Sequence, residues 1–184
     1  MNSKKIRKFM QLAGQELTNE FSAGTVQQRK LGAALLLSEV LEYCIKGLGV
    51  IPVVDGHEIS KPDGLTYLVK KDANKLEMLD GLADVAYTMY WNASAFGIPL
   101  EEGFELVCDN NLEKFVELKD WSSGLGPIES AKWHCNQGVS WPQEVVTVDV
   151  VKVENSYYAV GKDSSGKVRK PSSYKSVDLN ALVA

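Results

Sequence analysis

The sequence predicts a mainly α fold, a four-helix bundle carrying a C-terminal β-hairpin extension. Three observations lead there. Up to about residue 118, apolar side chains recur at helical spacing in four segments separated by turn residues. Two of those segments, residues 35–46 (LLLSEVLEYCIK) and 77–90 (EMLDGLADVAYTMY), have the composition of core helices meeting face to face. After Lys119 the pattern switches to glycine, serine and tryptophan, and then to apolar–polar alternation rich in β-branched residues. The expected organisation is an all-α domain over 1–118 and an extension over 119–184.

The first helix is expected over 4–17, where Ile6, Phe9, Met10 and Ala13 share a face, with Gly14 disturbing its end. Residues 18–24 are polar and turn-like. A second helix follows over 25–48, capped by Thr25 and closed by Gly47 and Gly49. Residues 50–71 carry two prolines and two glycines, and read as an irregular connection with a small hairpin around Asp55 and Gly56. His57 lies there, in the setting of a solvated loop histidine. Asp72 or Asn74 can cap the third helix, which runs to about Phe96 and stops at Gly97. Pro99, Glu101 and Glu102 suit the first turn of a fourth helix reaching about Leu118, because acids are favoured at the positive end. Residues 121–141 are read as an irregular excursion over the surface. Residues 144–153 (EVVTVDVVKV) and 157–162 (YYAVGK) then form a hairpin, followed by a turn into 167–169 and a tail ending in a helical turn.

The anomaly lies in the two central helices. Glu39 and Glu42 sit three apart on one face, and Glu77, Asp80 and Asp84 form a ridge over two turns of the other helix. Their neighbours are leucine, valine and alanine. Carboxylates crowded into a partly apolar site repel one another and lose hydration unless something positive compensates. A hard divalent cation such as Mg²⁺, with Mn²⁺ as the alternative, is the economical partner. The competing reading is an ordinary wet face on two amphipathic helices.

Composition narrows the classes. With 184 residues, 45% of them hydrophobic, the chain can bury a core without disulfides or structural metal. A net charge of −4 argues against general nucleic-acid binding. The basic start, MNSKKIRKFM, is followed by neither an apolar leader core nor a spanning run, so neither export nor membrane insertion is expected. Cys44, Cys108 and Cys135 are odd in number and lack metal-site spacing, which suits a reducing cytoplasm. Cys44 and Cys108 fall in apolar helical settings and read as ordinary buried thiols.

The helical region resembles the all-α nucleoside triphosphate pyrophosphohydrolases of the MazG and phosphoribosyl-ATP pyrophosphohydrolase type, particularly the single-domain versions of phages. The likeness is carried by SEVLEY (38–43), LDGLADVAYTMYWNASAFGIPL (79–100) and DNNLEKF (109–115), and covers roughly residues 6–115 and, weakly, GKVRKPSSY (166–174). It implies Mg²⁺ held by ExxE on one helix and ExxD on the next. Glu39 and Glu42 match the first pair, and Asp84 the closing acid. Gly81 replaces the usual acid three residues before Asp84, so the role passes to Asp80, with Glu77 as a further ligand. In the alternative register, Glu77 and Asp80 are themselves the ExxD pair.

The resemblance further implies that Asn111 and Lys114 hold phosphates, that one of Glu39 and Glu42 also positions the attacking water, and that the products are a nucleoside monophosphate and pyrophosphate. It points to a homodimer or homotetramer in the cytoplasm, the host's if the protein is phage-encoded, and to a purine deoxynucleotide such as dGTP. For the base, the residues offer Gln15 and Phe9, then Tyr87, Tyr90, Trp91 and Asn92, and the hairpin tyrosines; core packing competes with recognition at every aromatic. Arg29 and Lys30 could meet phosphate or water. Lys162, Lys167, Arg169, Lys170 and Lys175 concentrate positive charge in the extension, to cover a triphosphate, dock on an acidic neighbour or guard a strand edge. Two other functions stay open: a non-catalytic nucleotide-binding or interaction module, and a di-metal carboxylate bundle. The latter wants Glu-x-x-His pairs that His57 and His134 do not supply.

Overall fold

The structure, a computed structural model, describes residues 2–134 and 138–183; Cys135 lies outside them. In chain order the helices are α1 (Asn2–Leu12), α2 (Val26–Glu42), α3 (Lys75–Phe96) and α4 (Leu100–Leu112), and a π-helical turn, Tyr43–Gly47, extends α2. The strands are β1 (Val53–Val54), β2 (His57–Glu58), β3 (Val116–Leu118), β4 (Gly126–Pro127), β5 (Val145–Val153) and β6 (Ser156–Asp163). They form a two-stranded sheet, β1-β2, and a four-stranded antiparallel sheet of order β3-β6-β5-β4. With 41% helix and 15% strand, this is a mixed α/β structure. The expected mainly α four-helix bundle is therefore corrected.

The chain divides into two compact units, Thr18–Ala86 and Met1–Leu17 with Tyr87–Ala184, the division falling within α3. The buried core belongs to the second of these. Successive residues of β6 face opposite sides of the sheet. Ala159 joins Val116, Leu118, Val139, Val145, Val148 and Val150 on one side, where Trp121, Trp133 and Trp141 pack over them. Tyr158 and Val160 join Leu12, Ala13 and Phe115 on the other, with Phe9 beside them. A bulge between Val145 and Thr147 shifts the register of β5 by one residue, so that Val145 and Val148 are both buried although three apart. The excursion 121–141 is thus no loose covering. Its indoles close one face of the sheet, and each Nε1 is satisfied by a backbone carbonyl: Gly124, Ile128 and Trp133 respectively.

The bundle fails for a legible reason. In α2 the apolar residues Leu35, Leu36 and Leu37 are consecutive and point in several directions, so no single stripe can be buried. Leu41 is the one buried residue of α2 and α3 together. These two helices share no extended packing contact. α4 also stops earlier than expected, at Leu112, because Val116 and Leu118 are recruited as buried strand residues beside β6. α1 closes at Leu12 in a Schellman motif. Gly14 adopts φ 71°, the Gly14 N–H donates to Gln11 O at 3.1 Å, and the Gln15 N–H donates to Met10 O at 2.8 Å. The anticipated small hairpin forms on Asp55 and Gly56, both at positive φ. No described helix is long and apolar enough to cross a membrane.

Two features of the hairpin yield predictions. A Cβ on Gly161 would lie 2.4 Å from Trp141 Cε3, and the indole is held by its hydrogen bond to Trp133 O at 3.0 Å. Gly161→Ala is expected to cost roughly 1–3 kcal/mol by overpacking, read as a lowered urea midpoint; an unmoved midpoint would show the indole free to yield.

Asp163 closes the following turn. Its Oδ1 accepts hydrogen bonds from the Ser165 hydroxyl at 2.6 Å and from the Ser165 and Lys167 N–H groups, while Arg169 forks onto Oδ2. The Ser165 hydroxyl foremost, then these N–H donors and the Arg169 charge, lower its pKa to about 2. A carboxylate with a depressed folded pKa stabilises the native state fully above its unfolded value of about 4 and progressively less as pH falls towards 2. Asp163→Asn should therefore flatten the acid limb of the stability curve in that window. A limb identical to wild type would deny Asp163 the role.

Candidate functional site

Each acidic ridge stands on a helix whose start is well specified. For α2, Thr25 and Gln28 form a reciprocal capping box, with the Gln28 N–H donating to Thr25 Oγ1 and the Thr25 N–H donating to Gln28 Oε1. Glu39 and Glu42 are exposed at its far end, immediately before the π-helical turn. Such turns recur at functional positions because they widen the helix locally. Here the Tyr43 N–H is shared between Glu39 O and Val40 O. Lys46 Nζ lies 2.6 Å from Glu42 Oε1, an exposed pair one turn apart that adds little stability. For α3, Asn74 is the cap, its Oδ1 accepting from the Leu76 and Glu77 N–H groups. Glu77, Asp80 and Asp84 are all exposed, and no described residue pairs with them. Gly81 is open too: a Cβ there would meet nothing within 4 Å, so packing does not forbid the acid that the resemblance expects.

Among the described residues, no three of His, Cys, Asp and Glu come together as a group that could hold a metal ion. The convergence of the two ridges expected from the sequence is thus not present as a preformed cage. The donors nevertheless suit Mg²⁺ in kind, being exposed carboxylates at helical spacing, of which Glu42 is held by Lys46. Mg²⁺ keeps several waters and is commonly bound through one or two carboxylates with substrate phosphates supplying the rest.

Asn111 and Lys114 are brought together. Where α4 ends, Lys114 Nζ donates to Asn111 Oδ1 at 2.6 Å and stands 5.7 Å from the centroid of Phe9. Phe9 meets Phe115 edge to face at 5.1 Å, so this anchor belongs to the core. Both polar residues are half-buried, which holds an amide and an ammonium group in fixed relation.

Gln15 lines an open groove of about 610 Å³ with Gln11, Glu16, Lys152 and Glu154. Tyr87 and Trp91 are 71% and 58% exposed and lie one turn apart on α3, an arrangement open to stacking. The Tyr90 hydroxyl donates to Glu101 Oε1 at 2.7 Å, which raises its pKa. Tyr157 and Tyr158 serve the sheet core, with Lys152 and Lys8 over their rings. Asn92 donates to Thr88 O. Arg29 donates to Lys71 O at 3.1 Å while its buried Nε has no partner; Lys30 is half-buried and His57 and His134 are exposed.

Part of the positive charge of the C-terminal region is spent internally. Lys162 lies 3.4 Å from Asp149, and Arg169 pairs with Asp163. Cys108 is buried and its thiol pKa is pushed up by burial, while Cys44 is half-buried. Sequence reasoning passed over Asn110, the one buried polar residue among those described; the doubled asparagine at the end of a helix was the available signal.

No protein-family model, curated protein or solved structure matches the chain.

Proposed function

We propose that the chain is a Mg²⁺-dependent nucleoside triphosphate pyrophosphohydrolase, also served by Mn²⁺, that converts a deoxynucleoside triphosphate to the monophosphate and pyrophosphate. A purine such as dGTP is the first choice. The observation that carries the reading is the row of exposed acids on α2 and α3, of which Glu42 alone has a cationic partner among the described residues. Glu39, Glu42, Asp80 and Asp84, with Glu77 as a further donor, would hold the metal. Asn111 and Lys114 would hold phosphate oxygens, and Gln15, Tyr87 and Trp91 the base. When bound, the divalent ion supplies neutralisation of phosphate charge and Lewis acidity at the scissile anhydride. Glu39 or Glu42 orients a water and accepts its proton as the water attacks between the α and β phosphates, displacing pyrophosphate. Lys46, 2.6 Å from Glu42 Oε1, would have to yield for Glu42 to serve as a ligand.

The same reading includes self-association. α3 buries none of its 22 residues, and Leu76, Leu79 and Leu82 are each more than 60% exposed. An apolar face of that extent supports an interface there. Gly32 and Gly81 stand inside helices with nothing within 4 Å of a built Cβ, leaving room for the close approach of another backbone. A second copy of this chain, which carries the same apolar surface, is the proposed occupant. A second functional reading, a nucleotide-binding module without turnover, draws on the absence of a three-acid group among the described residues.

Incubation with ribo- and deoxynucleoside triphosphates and Mg²⁺ or Mn²⁺ is expected to release monophosphate and pyrophosphate, and Glu42→Gln to lower turnover by roughly 10²-fold or more with the fold intact. Binding without products would favour the non-catalytic module; full activity in Glu42→Gln would remove that residue from the chemistry. In sedimentation, wild type should run as a dimer or tetramer and Leu82→Glu as a smaller species, whereas a monomeric wild type would refute self-association.

A further inference from the structure

The asparagine beside the phosphate pair has a different employment. Asn110 is 9% exposed, and both ends of its amide reach the C-terminal tail, with Nδ2 also donating to Glu113 Oε2 at 3.4 Å. Nδ2 donates to Lys175 O at 2.6 Å, and Oδ1 accepts from the Tyr174 hydroxyl. The tail is fastened elsewhere as well. The Ser172 N–H donates to Ser140 O at 2.8 Å and Ser172 Oγ accepts from the Ser140 N–H at 2.9 Å. Pro171 is buried, and Lys170 Nζ stands 4.6 Å from the Tyr174 ring. Further on, Leu182 lies beside Gly103. The segment therefore runs back along α4, from the turn holding Asn110 towards the turn holding Gly103.

We infer that Asn110 is a positioning residue, and that the tail it grips sets the geometry of Asn111 and Lys114. This rests on the proposed phosphate role of that pair. Asn110 and Asn111 are consecutive in the last turn of α4, where a helix has lost its onward hydrogen bonds and frays. The closing bonds are only turn-like, with the Glu113 N–H donating to Asn110 O at 3.1 Å and the Lys114 N–H to Asn111 O at 3.4 Å. A buried amide gripped at both ends holds that turn shut. If the Tyr174 grip is lost, Asn110 Oδ1 remains buried without a partner, which favours opening of the turn. Lys114 would then no longer be presented by Asn111 at a fixed angle. The grip uses the Lys175 carbonyl and not its ammonium group, so the effect is mechanical and does not depend on tail charge.

The test uses the full chain, Tyr174→Phe, Lys175→Ala, and a non-hydrolysable α,β-methylene deoxyguanosine triphosphate with Mg²⁺. Tyr174→Phe removes one hydroxyl and leaves the ring under Lys170. It is expected to speed amide exchange over residues 172–180, to weaken analogue binding and raise KM by roughly five- to tenfold, the worth of one buried hydrogen bond, and to leave kcat within about twofold. Lys175→Ala, which keeps the carbonyl, should match wild type in exchange and in KM. If Tyr174→Phe frees the tail with KM unmoved, or if Lys175→Ala raises KM as much, the inference is overturned while the nucleotide reading stands. A wild type that neither binds the analogue nor hydrolyses any triphosphate overturns both.

Discussion

The antiparallel pairing of β5 with β6 is the interaction on which the larger unit depends. Both faces of this ribbon are covered, so its residues cannot be divided into a dry side and a wet side. Val148, Val150, Ala159 and Val160 are almost wholly shielded, and each of the unit's other parts attaches to one of the faces or edges that they define. α1 brings Leu12 and Ala13 to one face, the tryptophans close the other, and β3 and β4 extend the sheet at its two edges. A slip of one residue would exchange the faces and put the indoles against the wrong side chains. The bulge at the start of β5 and the missing side chain at Gly161 are the local adjustments that make this register the one that packs.

α2 and α3 are built on opposite terms. They are helical by local chemistry, through the Thr25–Gln28 box, the Asn74 cap and the positive φ of Gly97. Packing contributes little to them, since Leu41 alone is buried. Isolated helices of this length are marginal in water, and apolar surface left exposed forgoes about 25 cal/mol per Å². Helices so apolar gain stability when another surface covers them, and a set of exposed acids, of which Glu42 alone has a cationic partner among the described residues, gains when a cation meets it. Self-association and metal binding in the proposed function are answers to those two deficits, which arise on the same pair of helices.

The two groups of proposed site residues differ in preparation. Asn111 and Lys114 are bonded to each other, backed by Phe9 and steadied through Asn110 by the tail. The acids are solvated and separately mounted. In the proposed enzyme the phosphate pair would need no rearrangement, whereas the acids would take their order from a bound ion and substrate phosphate, as suits Mg²⁺ with its retained waters. The C-terminal segment, which looks dispensable as a string of residues, is tied into this arrangement by a single amide.

The residue pattern by itself determined what depends on near neighbours: the Thr25 cap, a cap at Asp72 or Asn74, the stop at Gly97, the Asp55–Gly56 turn, the β5–β6 hairpin, and the spacing that aligns Glu39 with Glu42 and Glu77 with Asp80 and Asp84. These follow from hydrogen bonds and dihedral preferences within a few positions. Tertiary structure decided where the burial goes. It recruited Val116 and Leu118 from an expected helix into an edge strand, set the tryptophans on the sheet, left α2 and α3 without a bundle, and paired Asn110 with residues more than sixty positions away. Leucines spread round a helix and valines alternating along a strand are equally apolar in composition. Only the long-range pairing of β6 with both its neighbours determines which of them is enclosed, and the reach of local sequence ends there.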